Sequence, residues 1–438
     1  MVLNFKEKIN YYRQNLFVKN VATLQIGSFG GTLVQAVFGI LIARLLQPEL
    51  FGIYSLSIGL AALAGLLLGA GIQDAVGTLI GLAYAKNDRE ELHDTLAFLL
   101  KITFYASLLT FIIFFFLPSL AEYFYGNFLI GWYAGIVILG VFFSSSFNAL
   151  VQLSLQVAGK IKVMAWLVFS DQFLRSGLSL FLIFLGFGVL GGVSGQLIGA
   201  ATVFILSVFI WVKLKHTYLI FPSFKELFYR TKKVSLFKYF GFSFWVAVDR
   251  NMGNLYMALP VVLAGIFVSV GEVSYFKLAF GYINLTLSLL GPVSVLLNVE
   301  FPKMKIENSE KLAINFTKVS IYGFLLSSAL TIAAIIVSPL AFRILYGESF
   351  MPSVDYVLGL TAYGALFGIG IGLGPIWRTI NKVKVSIIIN LIILGVGIPL
   401  GLLLIRNFGN WGAVIMVTIW FTTSHFVSFI YLARNLRR

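Results

Sequence analysis

SIIINLIILGVGIPLGLLLI, residues 386–405, is an uncharged apolar block with Lys384 shortly before it and Arg406 directly after it. About 20 apolar residues are the length that crosses the hydrocarbon core of a bilayer as an α-helix. Inside lipid a helix satisfies its own backbone hydrogen bonds, which a single strand cannot do. The block therefore predicts a membrane-spanning helix.

Blocks of this kind recur along the whole chain and are separated by short charged stretches. The 438 residues are 59% hydrophobic and 11% charged, whereas soluble domains carry about a quarter charged residues. The predicted spans are 21–43, 54–80, 96–117, 131–153, 164–186, 193–212, 239–266, 274–298, 313–338, 354–377, 386–405 and 410–432. The expected fold class is an all-α polytopic membrane protein with about twelve transmembrane helices.

The distribution of basic residues predicts the orientation of these helices. Of the 32 Lys and Arg, 26 lie in or at the edges of the two terminal segments and the connections on the same side of the membrane. The connections on the opposite side hold Arg44, Arg343 and Arg406. Because basic residues stay on the cytoplasmic side, both termini are expected in the cytoplasm of a cell that carries the chain in its inner or plasma membrane. The net charge of +15 is thereby explained without nucleic acid as a partner. The first span is expected to serve as an uncleaved insertion signal.

The two halves of the chain repeat each other at a nearly constant offset. LPSLAEYFYGNF, which contains Pro118 and Gly126, corresponds to SPLAFRILYGESF at an offset of 221, and AGKIKV corresponds to INKVKV at 222. Since six spans bring the chain back to the same side, the halves are expected to be parallel repeats around a central cavity. The predicted division is an N-lobe over 1–212, a basic cytoplasmic linker over 213–238 and a C-lobe over 239–438. The linker joins the lobes or is held by anionic lipid head groups, and both interpretations fit.

No enzyme signature is evident in the sequence. The chain has no cysteine and only three histidines, and it lacks a P-loop, an HExxH motif and a G-x-S-x-G elbow. We therefore expect a transporter and not an enzyme, with no metal site and no resident cofactor.

Charged residues inside the apolar spans are the candidate site, because each is costly in lipid unless it faces a cavity or a partner. These charges are Asp74, Asp171, Arg175, Asp249, Arg250 and Lys277. Asp171 and Arg175 are four residues apart on one helix face, so they are expected either to pair or to form part of a cationic wall. If one acid in each half neutralises a base, Lys277 is left in excess and suits an anionic group such as a phosphate. Arg250 and Arg175 are the other candidate cations.

Several further residues have alternative interpretations. Asp171, Asp249 and Asp74 are candidates for binding a coupling H⁺ or Na⁺, or for charge pairing. Polar amides within the spans suit sugar hydroxyls or, equally, hydrogen bonds between helices. They are Gln25, Gln35, Asn148, Gln152, Asn284 and Asn390.

ILIARLLQPELFGIYSLS (40–57) and the turns YGNF (125–128) and YGESF (346–350) resemble the polysaccharide-biosynthesis flippases. This Wzx-like family belongs to the multidrug/oligosaccharidyl-lipid/polysaccharide (MOP) superfamily. The resemblance implies alternating access by two lobes that move a polyprenyl-pyrophosphate-linked oligosaccharide from the inner to the outer leaflet. The lipid-linked oligosaccharide is then the partner, and a monomer is the expected transport unit.

Two other functions remain open on the sequence. The first is a cation-coupled drug exporter of the same superfamily, for which an acid in the first helices is expected; span 21–43 has none. The second is an integral-membrane glycan polymerase or transferase, which favours clustered charges in a large outer loop. The acids outside the spans, such as Glu122 and Glu348, are instead dispersed singly.

Overall fold

The computed structural model describes residues 16–66, 72–143, 147–307 and 309–436. Over these residues the regular structure is helical throughout, without a strand. Seven of the described helices are long and apolar enough to cross a membrane, and an eighth span is formed if Glu348–Gly359 and Thr361–Thr379, bent by 55°, are taken together. The all-α membrane fold predicted from the apolar blocks is confirmed.

Each of the twelve predicted spans overlaps helical residues in the described part of the chain. The helices of the first half are α1 Leu16–Leu66, α2 Ile72–Ala85, α3 Arg89–Tyr125, α4 Phe128–Phe143, α5 Ala149–Val157, α6 Ile161–Leu182 and α7 Gly188–Thr217, followed by α8 Phe224–Lys233. Those of the second half are α9 Phe237–Phe267, α10 Val270–Leu287, α11 Gly291–Glu307, α12 Ser309–Ala341, α13 Ser353–Gly359, α14 Thr361–Phe367, α15 Leu373–Thr379, α16 Val383–Phe408 and α17 Asn410–Asn435.

Two of the seven long helical stretches each overlap two predicted spans. From the start of α6 to the end of α7 the chain is helical over 57 residues, which as one rod would be about 85 Å long and far exceed a bilayer. It is instead a hairpin that turns at Gly188, with Gly195 against the backbone of Ser179 and Gly199 against that of Arg175. The 51 residues of α1 are likewise interrupted, at Gln47, where φ is 60° and ψ is 169°.

The backbone confirms the internal repeat. Three positions with positive φ in the first half have a partner with positive φ in the second half, at an offset of 221 or 222. The pairs are Gly126 with Gly347, Gly159 with Asn381, and Gly188 with Gly409. In the last pair ψ also agrees, at −138° and −135°. Both halves therefore turn in the same way at equivalent places.

The helices cluster into two compact units. Unit 1 holds the described residues within Met1–Ile42, Ala64–Phe115 and Gly135–Ala247, and unit 2 holds Ala43–Leu63, Phe116–Ala134 and those within Val248–Arg438. Two pieces of the first half thus pack with the second half. The lobe boundaries at 212 and 239 stay a prediction.

The segment predicted as the linker, 213–238, folds onto α3 within unit 1. Arg230 Nη1 donates to Asp94 Oδ1 over 2.7 Å, and Lys238 Nζ donates to Glu91 Oε2 over 2.7 Å. The bond to Glu91 raises the pKa of Lys238. At the start of α8, the Glu226 backbone N–H donates to Ser223 Oγ and the Ser223 backbone N–H donates to the Glu226 carboxylate, which forms a capping box. The hydrogen bonds that Ser223 donates lower the pKa of Glu226. The basic segment is therefore an ordered part of unit 1.

Candidate functional site

Lys277 is the most distinctive of the predicted site residues. It lies in the third turn of α10, a helix that begins after Ser269, whose hydroxyl accepts from the backbone N–H of Glu272. Lys277 is half-buried, and among the described residues no hydrogen bond or ion pair reaches its ammonium group. An unneutralised cation in an apolar segment is costly unless an anion or water reaches it. Lys277 can therefore serve as an anion-binding group.

Asp249 and Arg250 are adjacent on α9, also in unit 2. Asp249 is half-buried, and Arg250 is exposed. Both Arg378 and Arg250 act electrostatically on the Asp249 carboxylate, and the influence of Arg378 is the larger. Arg378, on the last turn of α15, donates to Asn298 Oδ1 over 3.5 Å. Asp249 therefore lies within electrostatic range of two arginines.

Arg378 was not singled out from the sequence. It directly follows the predicted span 354–377, and its position near Lys382 and Lys384 suggested only a cytoplasmic charge. Its proximity to Asp249 depends on how α15 packs, which hydropathy does not encode.

Asp171 and Arg175 form the predicted ion pair on α6 in unit 1. Arg175 Nε lies 3.0 Å from Asp171 Oδ1, and the two side chains are 18% and 16% exposed. Pairing is the ordinary way to tolerate charge in a membrane helix, so a structural role explains both residues. Their predicted roles in substrate binding and in ion coupling stay predictions.

The predicted polar contacts divide into two groups. Three asparagines join helices to each other: Tyr363 Oη donates to Asn284 Oδ1 over 2.6 Å, Ser424 Oγ donates to Asn390 Oδ1 over 2.7 Å, and Ser207 Oγ donates to Asn148 Oδ1 over 3.1 Å. Gln152 donates to Asn148 as well. Gln35, in contrast, is exposed. The side chains of Gln25 and Asp74 lie outside what the structure describes.

A second set of contacts in unit 2 was not predicted from the sequence. It joins the start of the 43–63 segment to the second half of the chain. Arg44 Nη1 donates to the carbonyl oxygen of Ile344 over 3.2 Å, and Ser349 Oγ donates to Gln47 Oε1 over 2.8 Å. Gly52 lies so close to Val270 that a Cβ on it would be 1.8 Å from the Val270 carbonyl oxygen. We call this set the Arg44–Gly52 contact.

The sequence hints at this contact only through its residue types. Arg44 is fully explained by snorkelling at a span end, and Gly52 is one of 42 glycines. Neither an arginine nor a glycine at these positions indicates a contact with a residue about 220 to 300 positions further along the chain.

Solved structures of membrane transporters share this fold. An inward-facing MATE-family multidrug resistance transporter of the MOP superfamily matches with a TM-score of 0.75 and 18% identity, over 95% of this chain and 98% of that one. The lipid II flippase MurJ in an inward closed conformation matches at 0.69 and 17% identity, over 95% of this chain and 87% of that one. An outward-facing MATE transporter matches at 0.61 and 18%, over 97% of both chains. The chain thus has the fold of the MOP superfamily and is a multi-pass membrane protein.

The family itself follows from the sequence. Residues 41–355, most of the chain, match the family described as polysaccharide biosynthesis protein. The chain belongs to this family, as the resemblance of residues 40–57 and of the YGNF and YGESF turns indicated. Comparison with curated protein sequences gave no significant match.

Proposed function

We propose that this protein is a flippase for polyprenyl-pyrophosphate-linked oligosaccharide. The observation that carries the proposal is the family match over 41–355 on a chain with the MOP fold. The lipid II flippase MurJ shares that fold. In the predicted orientation the protein moves its substrate from the inner to the outer leaflet of the cell membrane, as a monomer, for the assembly of surface polysaccharide or glycoprotein.

The cations of unit 2 are proposed to hold the pyrophosphate. Lys277 has no acid beside it in the described structure, and Arg250 and Arg378 both lie within electrostatic range of Asp249. Charge-assisted hydrogen bonds to phosphate oxygens are about twice as strong as neutral ones, so a few such groups suffice to retain a head group. Arg378 is added here to the candidate phosphate-binding cations that were predicted from the sequence.

Sugar binding is proposed for the amides that remain accessible, with Gln35 first because its side chain is exposed. Gln25 keeps the same proposed role from the sequence. The oxygens of Asn148, Asn284 and Asn390 already accept hydrogen bonds from other helices. These three therefore serve a sugar only through their remaining hydrogen-bonding capacity.

Coupling to H⁺ or Na⁺ is proposed at Asp249 in preference to Asp171. Asp171 is neutralised by Arg175 at 3.0 Å, whereas Asp249 has no ion pair at that range within the part of the chain that the structure describes. A carboxylate that is not tied to one cation is free to exchange a proton or a sodium ion during a cycle.

Alternating access is proposed to open and close the Arg44–Gly52 contact. In the predicted orientation these residues lie at the outer ends of the first two spans. The contact is built from one side-chain-to-backbone bond, one bond between two side chains and one tight glycine approach. A gate that opens in each cycle has to break and re-form these contacts.

The test is flipping of lipid-linked oligosaccharide by protein reconstituted in vesicles. Lys277→Ala and Arg250→Ala should each lower the initial rate at least tenfold, because each removes a charge that meets the pyrophosphate. The matched controls are Lys318→Ala and Arg343→Ala, exposed residues of the same type in the second half, which should keep the rate. Full flipping by Lys277→Ala or Arg250→Ala, with normal insertion, would refute the assignment.

A cation-coupled, MATE-like exporter of drugs or other small molecules is the second candidate, favoured by the TM-score of 0.75 to a MATE transporter. The same vesicles distinguish the two functions. Efflux of a cationic dye without flipping of the lipid-linked oligosaccharide would establish the exporter and overturn the flippase.

A further inference from the structure

An apolar groove opens in unit 1 between α3, the end of α4 and α8. It encloses about 730 Å³, which is the size of site that takes one drug-sized ligand. Its lining is Leu100, Lys101, Phe104, Tyr105, Phe142, Phe147, Phe224, Leu227, Phe228, Thr231 and Lys232. We call it the α3–α8 groove.

Helix α8 forms one wall of the groove and is held firmly in place. Leu227 is 1% exposed and anchors the apolar face of α8, while Arg230 is bonded to Asp94 on α3. On the open side, Phe228 and Phe104 are 67% and 64% exposed. A short amphipathic helix with large exposed aromatic residues lies in the interface of a membrane, with its apolar face toward the acyl chains. The groove therefore opens toward lipid.

The lining of the groove includes two lysines, and it has no carboxylate among the described residues. Lys101 Nζ donates one hydrogen bond to the Val234 carbonyl oxygen over 2.7 Å, which leaves two of its three N–H groups. Lys232 Nζ lies 5.4 Å from the centre of the Phe228 ring. No ion pair neutralises either lysine in the described structure. The lining thus combines two cations with a mostly apolar surface.

We propose that the α3–α8 groove binds one anionic phospholipid, with a hydrocarbon chain in the apolar slot and the phosphate at Lys101 and Lys232. A single ligand must supply both a chain and an anion to match this lining. Bulk membrane lipid faces α3 and α8 at all times and is present in large excess over any transported lipid, so mass action favours it. This site is more specific than a diffuse attraction of basic residues to a charged surface, and it does not depend on the flippase assignment.

The test is native mass spectrometry of the purified full-length protein titrated with dioleoyl phosphatidylglycerol or dioleoyl phosphatidylcholine. The wild-type protein should retain one phosphatidylglycerol at least fivefold more tightly than phosphatidylcholine. Lys101→Gln and Lys232→Gln should each weaken this binding about fivefold, and the double variant about thirtyfold. Glutamine at 101 keeps an N–H donor for Val234. The control Lys225→Gln, on the same helix but outside the lining, should bind as the wild type does.

A second variant tests the slot without changing charge. Thr231→Trp fills the groove and should lower phosphatidylglycerol binding at least tenfold, whereas Thr217→Trp, outside the lining, should not. Equal retention of the two lipids, or an equal loss in Lys225→Gln and Lys232→Gln, would overturn the proposal. Displacement of phosphatidylglycerol by an equimolar polyprenyl phosphate would overturn it as well, since the groove would then belong to the transported lipid.

Discussion

Single charged residues in this protein differ mainly in whether a partner neutralises them. Asp171 and Arg175 lie 3.0 Å apart with both side chains mostly buried, so the pair tolerates its membrane position. Lys277 has no such partner in the described structure. Because lipid penalises an uncompensated charge, a cation that persists without an acid beside it is the better candidate for binding a substrate anion.

The Asp171–Arg175 pair makes a prediction about stability. Asp171→Ala removes the carboxylate that neutralises Arg175, and Arg175→Ala removes the ion-pair partner of Asp171, so each should lower the free energy of unfolding by about 3 kcal/mol. The swapped double variant, Asp171→Arg with Arg175→Asp, should recover most of that loss. Thermal unfolding of the purified protein in detergent measures both. The exposed pair Arg343–Glu348 provides the control, since Arg343→Ala should cost less than about 1 kcal/mol. Wild-type stability in both single variants, with transport lost, would show a functional role instead.

At the scale of elements, small residues decide how closely helices pair. In the α6–α7 hairpin a Cβ on Gly195 would lie 2.2 Å from the Ser179 backbone nitrogen. In α16 and α17 the equivalent hairpin brings Gly412 against the Leu404 carbonyl. Such close approaches supply much of the packing between helices in lipid, where burial of apolar surface gives little drive.

Gly195→Ala should therefore destabilise the protein by about 2 kcal/mol, because the backbone of Ser179 cannot move away as a flexible side chain would. Gly395→Ala in α16 is the matched control, since a Cβ there meets nothing within 4 Å. Alanine at 395 should leave the unfolding temperature unchanged or raise it, given the better helix propensity of alanine. Equal melting temperatures for the two variants would contradict close packing of α6 on α7.

For the whole molecule, the helices and their repeat could be predicted because apolar blocks and turn motifs are features of local sequence. The apolar blocks gave the spans, and the YG turns and Lys-x-Lys motifs gave the equivalence that Gly126 and Gly347 confirm. Local sequence did not predict that residues 43–63 pack within unit 2. It depends on contacts such as Gly52 with Val270, for which neither residue type carries a signal. Arg378 near Asp249 was missed for the same reason.

The absence of cysteine allows a clean test of the proposed gate. An ideal Cβ on Gly271 lies 4.0 Å from the Cα of Glu49, both in unit 2, which is close enough for a disulfide. In the Glu49→Cys, Gly271→Cys variant an oxidised bond should hold the Arg44–Gly52 contact closed. The single variants Glu49→Cys and Gly271→Cys control for the substitutions themselves.

Flipping of lipid-linked oligosaccharide by this double variant, before and after reduction, is the most direct measurement of the central claim. The account predicts no flipping in the oxidised protein, recovery of the rate on reduction, and full rates in both single variants under either condition. Undiminished flipping by the fully cross-linked protein would contradict alternating access through this contact. Absence of flipping in the reduced and wild-type proteins alike would contradict the flippase function.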